Sequence, residues 1–187
     1  MSSIILAAIA PVDPLYLSLL TEPIGKTFSR SVKVAQPPLL DGSFAFNFSR
    51  NQYSSTSILS ALLEKFSEWV PSEDRLDCKI LGVTEGDLFV PVLTYVFGEA
   101  QFVGKAAVVS SHRLHEEFYG LQSDESIFKT RLVKEAIHEL GHTFGLIHCN
   151  NYLCVMHSST GVEEIDMKTE KLCEDCRMEF LSKNLTQ

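Results

Sequence analysis

The sequence predicts an α+β (α/β-like) domain in which a mixed sheet carries two long helices and ends in a cysteine-bearing tail. Three observations point there. Short apolar runs of strand length alternate with stretches of helical period. Two of the helical stretches are long and amphipathic. Four of the five cysteines lie beyond residue 148.

Ile4 to Ala10 is a short unbroken apolar run, which reads as a buried strand. Asp13-Pro14 has the form of an N-cap followed by proline at the first helical position, which predicts a helix through Leu20. Ser31 to Ala35 reads as a strand, and Gln36-Pro37-Pro38 to Gly42 as a loop. Phe44, Phe46 and Phe48 alternate, as in a strand with one buried face. Between Ser57 and Val70, the residues Ile58, Leu59, Leu62, Leu63, Phe66 and Trp69 share one helical face, and Pro71 ends the helix. Cys78 to Val83 and Leu88 to Phe97 read as strands, with Pro91 favouring a sheet edge for the second. Ala106 to Ser110 is a further short strand. Ser123-Asp124-Glu125 opens a helix to about Phe144, whose apolar positions Val133, Ile137, Leu140 and Phe144 recur at helical spacing.

The chain has 187 residues, 45% of them hydrophobic and 21% charged. A chain of this length buries about 70% of its unfolded surface, enough for a proper core. One domain over 1–187 is expected, with a sheet-containing part over 1–142 and a C-terminal subdomain over 143–187. A formal charge of −8 argues against a nucleic-acid partner. No stretch approaches the roughly 20 apolar residues of a membrane span. The run MSSIILAAIAP lacks an early basic residue and a cleavage pattern, so it reads as a strand and not as a signal peptide. The expected location is therefore the cytoplasm, where an odd number of cysteines suggests metal ligation more than disulfides.

The most informative stretch is His138 to Cys149, HELGHTFGLIHC. Residues four apart share a helix face, so His138 and His142 can reach one metal ion. Glu139 stands beside the first histidine, free to take a proton from water on that ion, as in a zinc hydrolase. Gly145 permits the left-handed turn that would end the helix and bring His148 to the same ion. Three protein ligands leave a fourth position for water, which is what a catalytic zinc needs. A bare HExxH arises by chance, but the added Gly145 and His148 at this spacing make chance a poor account. His112, His115 and His157 read as ordinary core or surface residues.

Cys149 follows His148 directly. In an extended segment the two side chains point to opposite sides, so Cys149 needs partners of its own. Cys154 lies five residues on, and Cys173-Glu174-Asp175-Cys176 supplies a CxxC pair. Cys149, Cys154, Cys173 and Cys176 together read as a closed, structural four-thiolate zinc site that clamps the tail from Met167 to Leu185. A redox CxxC and a disulfide are the competing readings. Carboxylates beside the pair disfavour the first, and a reducing compartment disfavours the second. Cys78 reads as a small buried apolar residue.

HELGHTFGLIHC, then Cys154-Val155-Met156 and Cys173-x-x-Cys176, closely resembles the archaemetzincins, a branch of the metzincin zinc peptidases with an extra cysteine site. Leu81-Gly82-Val83-Thr84 and Phe97-Gly98-Glu99-Ala100 also resemble the family, and the likeness covers most of the chain. It implies a metzincin-type twisted, mixed five-stranded sheet with an active-site helix and a small zinc-clamped C-terminal subdomain. It implies His138, His142 and His148 as ligands of a catalytic zinc and Glu139 as the general base. Cys149, Cys154, Cys173 and Cys176 would hold a second, structural zinc, and Met156 would form the methionine turn beneath the first. The implied activity is hydrolysis of peptide bonds in a peptide or protein substrate. Some metzincins carry a tyrosine two residues past the turn methionine. Ser158 stands there, so no oxyanion-stabilising tyrosine follows from the resemblance. A gluzincin with Glu163 or Glu164 as third ligand is one rival reading. A zinc-stabilised peptide-binding module with little or no hydrolysis is the other.

Overall fold

The computed structural model describes residues 3–70, 72 and 74–184, and of residues 36–39 the backbone alone. Strand β1 (Ser3–Ile9) is buried throughout, as its unbroken apolar run predicts. It pairs in parallel with β2 (Ser31–Leu40) on one side and β5 (Lys79–Thr84) on the other. β5 pairs in parallel with β8 (Ala106–Ser110), and β7 (Gly98–Ala100) closes the sheet antiparallel to β8. The five-stranded order is therefore β2-β1-β5-β8-β7. A smaller sheet joins β3 (Phe46–Asn47), β4 (Gln52–Ser54) and β6 (Leu88–Phe89).

Helices cover both faces of the main sheet, which is why its central strands are apolar on both sides. Ile4, Leu6 and Ala8 of β1 share a core with Leu17 and Ile24 of α1 (Leu15–Phe28) and with Leu132 and Ile137 of α3 (Glu125–Thr143). The intervening Ile5, Ala7 and Ile9 point the other way, onto Ile58 and Leu62 of α2 (Ser55–Trp69). Two short helices, α4 (Val162–Met167) and α5 (Glu174–Asn184), finish the chain, and Cys176 and Phe180 join the α3-side core. No helix among the described residues is long and apolar enough to cross a membrane.

Several boundaries differ from the sequence reading, each for a local reason. α1 does not stop near Leu20. It continues past Pro23 to Phe28 and ends where Ser29 takes a left-handed backbone. Its N-cap position is Pro14, with the Asp13 carboxylate accepting from Leu15 N at 2.9 Å. β2 runs on through Pro37 and Pro38, which were expected in a loop. As a sheet-edge strand it tolerates them, and its register against β1 slips between Leu6 and Ala8. The alternating phenylalanines are not one strand. Asp41 and Asn47 side chains turn the backbone by accepting from Ser43 N and from Ser49 and Arg50 N, so Phe44 and Phe48 face solvent. Leu88 to Phe97 is also broken. The carbonyls of Leu93 and Thr94 accept from Arg50, and that of Thr94 also from Gln52, so they are not available to a ladder. Past this break, Gly98–Ala100 forms the sheet edge opposite β2. Pro71 and Leu185, read as a helix stop and the end of the clamped tail, lie outside the described residues. Cys78 is buried beside Ser3 Oγ, 3.0 Å away.

Candidate active site

α3 is built to carry reactive groups in a fixed place. Asp124 caps it by accepting from the backbone of Ser126 and Ile127 at 2.8 and 3.0 Å. Its other end is a Schellman turn: Leu146 N reaches Gly141 O and Gly145 N reaches His142 O, both at 3.0 Å. Gly145 supplies the required positive φ of 87°. The chain then reverses, and His148 returns to the helix face that carries His138 and His142.

Ligand atoms of the three histidines lie within 4.8 Å of one another. His138 Nδ1 is 2.9 Å from Val155 O, and His142 Nδ1 is 2.8 Å from Leu146 O. Those contacts place the proton on Nδ1 and leave Nε2 as an acceptor, the arrangement that orients histidine toward a metal. The two Nε2 atoms are 3.2 Å apart. Tetrahedral zinc with bonds of 2.0–2.1 Å would separate two such nitrogens by about 3.3 Å, so the spacing fits a shared ion. Burial holds all three imidazoles below the ordinary histidine value, that of His138 far below, so they are neutral and ready to coordinate.

Glu139 faces a cleft of about 340 Å³ together with His138, His148 and Glu135. Burial first, and the Glu135 carboxylate second, push its carboxyl well above the usual range. One wall of the cleft is the segment from Leu93 to Gly98, and the other is Ser158 to Thr160. Gly98 is needed for the first wall, because a Cβ there would lie 2.6 Å from Glu139 Cγ. Met156 is fully buried against the helix at Gly141, between His138 and His142 in sequence. A Cβ on Gly141 would lie 2.4 Å from its Sδ.

The four tail cysteines form a second cluster, with sulfurs within 4.8 Å of one another. Cys149 Sγ and Cys173 Sγ are 3.7 Å apart, far beyond a disulfide bond. Tetrahedral Zn–S bonds of 2.3 Å would place neighbouring sulfurs about 3.8 Å apart, so this set fits zinc as well. Backbone N–H groups of Asn151 and Cys173 aim at Cys149 Sγ and Cys154 Sγ, at 3.4 and 3.3 Å.

The other histidines and acids lie elsewhere. His115 stacks on Phe128 at 4.1 Å, and His112 Nδ1 meets Glu85 O. His157 Nδ1 meets Cys149 O at 2.7 Å and so braces the junction of the two clusters. Glu164 accepts from Thr160, and neither it nor Glu163 joins the imidazole cluster. Sequence reasoning missed Glu135, Lys168 and Tyr95. Lys168 is fully buried and donates to Glu135 Oε1 at 2.8 Å and to His157 O at 3.0 Å. Tyr95 OH donates across the cleft to Thr160 O at 2.6 Å, with the Arg113 guanidinium 3.9 Å from its ring centre.

A family profile described as Peptidase family M54 matches residues 34–182. The chain belongs to peptidase family M54. Members named archaemetzincin are close in sequence. That of Methanocaldococcus jannaschii is 44% identical over 133 residues, covering 71% of this chain and 68% of the relative. That of Pyrococcus furiosus is 38% identical over 177 residues, covering 92% and 89%. Among solved structures, a zinc-dependent peptidase from Methanocorpusculum labreanum superposes with a TM-score of 0.84 at 32% identity, covering 95% of this chain and 99% of that one. An archaemetzincin from Archaeoglobus fulgidus, solved with malonate, gives 0.76 at 34% identity over the same shares. This M54 chain is thus a zinc metallopeptidase with the archaemetzincin fold.

Proposed function

We propose that His138, His142 and His148 hold the catalytic zinc and that Glu139 is the general base of peptide-bond hydrolysis. The observation that carries this reading is the set of three converging imidazoles, two of which, His138 and His148, line one cleft together with the buried Glu139 carboxylate. When bound, the zinc supplies Lewis acidity, polarising a carbonyl and lowering the pKa of a coordinated water to about 7. Glu139 takes a proton on its carboxylate and returns it to the leaving amine. Burial and the neighbouring Glu135 carboxylate raise its affinity for a proton, which favours the first of these transfers. The Leu93–Gly98 wall leads into the sheet-edge strand β7, so an extended peptide would lie along it and borrow its free backbone groups.

Cys149, Cys154, Cys173 and Cys176 would hold a second, structural zinc that clamps the tail, and Met156 would support the first site from below. The two ligand sets together imply two zinc ions per chain. Residues 1–187 would then be one peptidase domain, with 143–187 as a subdomain whose Phe144, Leu146 and Phe180 share the core of β1. Four free thiols arranged for metal suit a reducing cytoplasm. The test is Glu139→Gln. It should keep its zinc, measured by metal analysis, and lose hydrolysis of a mixed peptide library by about 100- to 10,000-fold. Normal cleavage by that variant would overturn the assignment.

A further inference from the structure

A second cavity, of about 420 Å³, lies at the C-terminal turn of α3 and shares no lining residue with the cleft. Arg30, Lys79, Lys105 and Lys183 line it, and Asp77 is the acid among its lining residues. The chain carries 24 acids against 16 lysines and arginines, so four of those 16 gather here against the overall charge. Phe144 holds two of them near its ring: Arg30 Cζ and Lys79 Nζ each lie 5.1 Å from the ring centre. Backbone carbonyls fix all four cations. Lys79 donates to Gly104 O and Thr143 O at 2.7 and 2.8 Å, and Lys183 to Gly145 O at 2.7 Å. Arg30 donates to Asp77 O at 2.8 Å, and Lys105 to Leu76 O. Lys183 also pairs with Glu179. Arg30, Lys79 and Lys105 are half-buried and form no ion pair among the described residues.

Helix capping explains part of this arrangement. Lys79 and Lys183 meet carbonyls at the end of α3, where the helix dipole favours cations. It does not explain Arg30 and Lys105, whose acceptors Asp77 O and Leu76 O belong to the segment before β5. Cations that are half-buried without a carboxylate partner repel one another and lose hydration. Lys79 shows the effect: burial first, then Lys105 and Arg30, lower its ammonium to about 8. An incoming anion would remove that repulsion, and the donors for it remain. An ammonium has three N–H groups and a guanidinium five, and carbonyls take one or two from each here. A monocarboxylate brings one charge and two oxygens to four cations, of which Asp77 and Glu179 can balance two. A phosphate or diphosphate brings more charge and more acceptor oxygens on a compact centre, which suits a guanidinium fork beside ammonium groups. We infer that Arg30, Lys79, Lys105 and Lys183 form a binding site for a phosphate-type polyanion, apart from the peptidase cleft.

The experiment titrates the full zinc-loaded chain by calorimetry at neutral pH and constant ionic strength, with sodium pyrophosphate, adenosine diphosphate and sodium acetate as probes. One pyrophosphate should bind per chain, at least about tenfold tighter than acetate. Arg30→Gln and Lys105→Gln each remove a cation and leave the lysine caps of α3 in place. Each should weaken pyrophosphate binding by about tenfold or more, the scale of a charge-assisted hydrogen bond, with zinc content unchanged. Pyrophosphate held on a zinc ion would respond to neither substitution, so an affinity unaltered in both variants would overturn the site. Acetate binding as tightly as pyrophosphate, or no pyrophosphate binding by the parent chain, would overturn it too. Adenosine diphosphate identifies the source. Binding at least as tight as pyrophosphate supports a phosphoryl group carried on a larger molecule, and weaker binding supports the free anion.

Discussion

Gly98 and Glu139 touch at a point where no side chain fits: a Cβ on Gly98 would sit 2.6 Å from Glu139 Cγ, 2.7 Å from its Oε1 and 2.6 Å from Val108 O. The cleft wall and the buried carboxylate are thus in direct register. Gly98→Ala should displace one of them by about an ångström. A misplacement of that size can cost about 100-fold in rate. The expected result is a drop of that order in kcat/KM with unchanged zinc content, and unaltered kinetics would contradict the contact.

Lys168→Met should be among the most damaging single changes. The Lys168 side chain is wholly buried and that of Glu135 nearly so, at 0% and 4% exposure. Removing the ammonium strands a carboxylate in the interior, which costs about 3–5 kcal/mol. Denaturant unfolding of the zinc-loaded variant measures the loss. A shift below about 1 kcal/mol would mean that Glu135 finds another partner or takes up a proton.

With the thiol cluster as a zinc site in the proposed reading, Cys173→Ser should lower the zinc content by one ion per chain and leave the ion of the histidine cluster in place. Hydroxyl is a poor replacement for thiolate on zinc. Mass spectrometry under native conditions would read the stoichiometry, and the variant should also unfold at lower temperature. Retention of both ions would show that the thiol cluster is not a metal site.

The metal-free protein should lose stability as pH falls from about 6.5 toward 5. Unfolded imidazoles protonate near 6.5, whereas burial holds His138, His142 and His148 lower, so the unfolded chain binds more protons in this window. Glu139 works in the opposite direction, because its raised folded pKa favours the native state as the pH drops. Glu139→Gln should therefore steepen the acid loss. Chelator-treated samples unfolded in urea at pH 7 and pH 5 would check both signs.

What could be read from the sequence follows the range of the interactions. α3 was legible because its cap, its period and its histidines all lie within one helix and the turn after it. The thiol cluster was legible because cysteine pairs advertise their chemistry. Glu135 and Lys168 were not, since 33 residues separate them and neither has a motif of its own. Tyr95 bonds a carbonyl 65 residues away, which no periodicity marks. Phe97-Gly98-Glu99-Ala100 resembles the family as a string, yet the reason for its glycine is a close approach that only the folded chain displays. The broken strands failed for a related cause: Arg50 and Gln52 take Leu93 and Thr94 carbonyls through contacts more than 40 residues apart in sequence.

His148 and Cys149 belong to different clusters but share a peptide bond, and His157 grips the carbonyl just after it. The length of this hinge is consequently not free to drift. A residue inserted between them would swing one donor out of its cluster, and a deletion would merge two roles into one position. Loops elsewhere on the surface can lengthen over generations without harm, whereas here any change in spacing must be answered by both halves of the molecule at once.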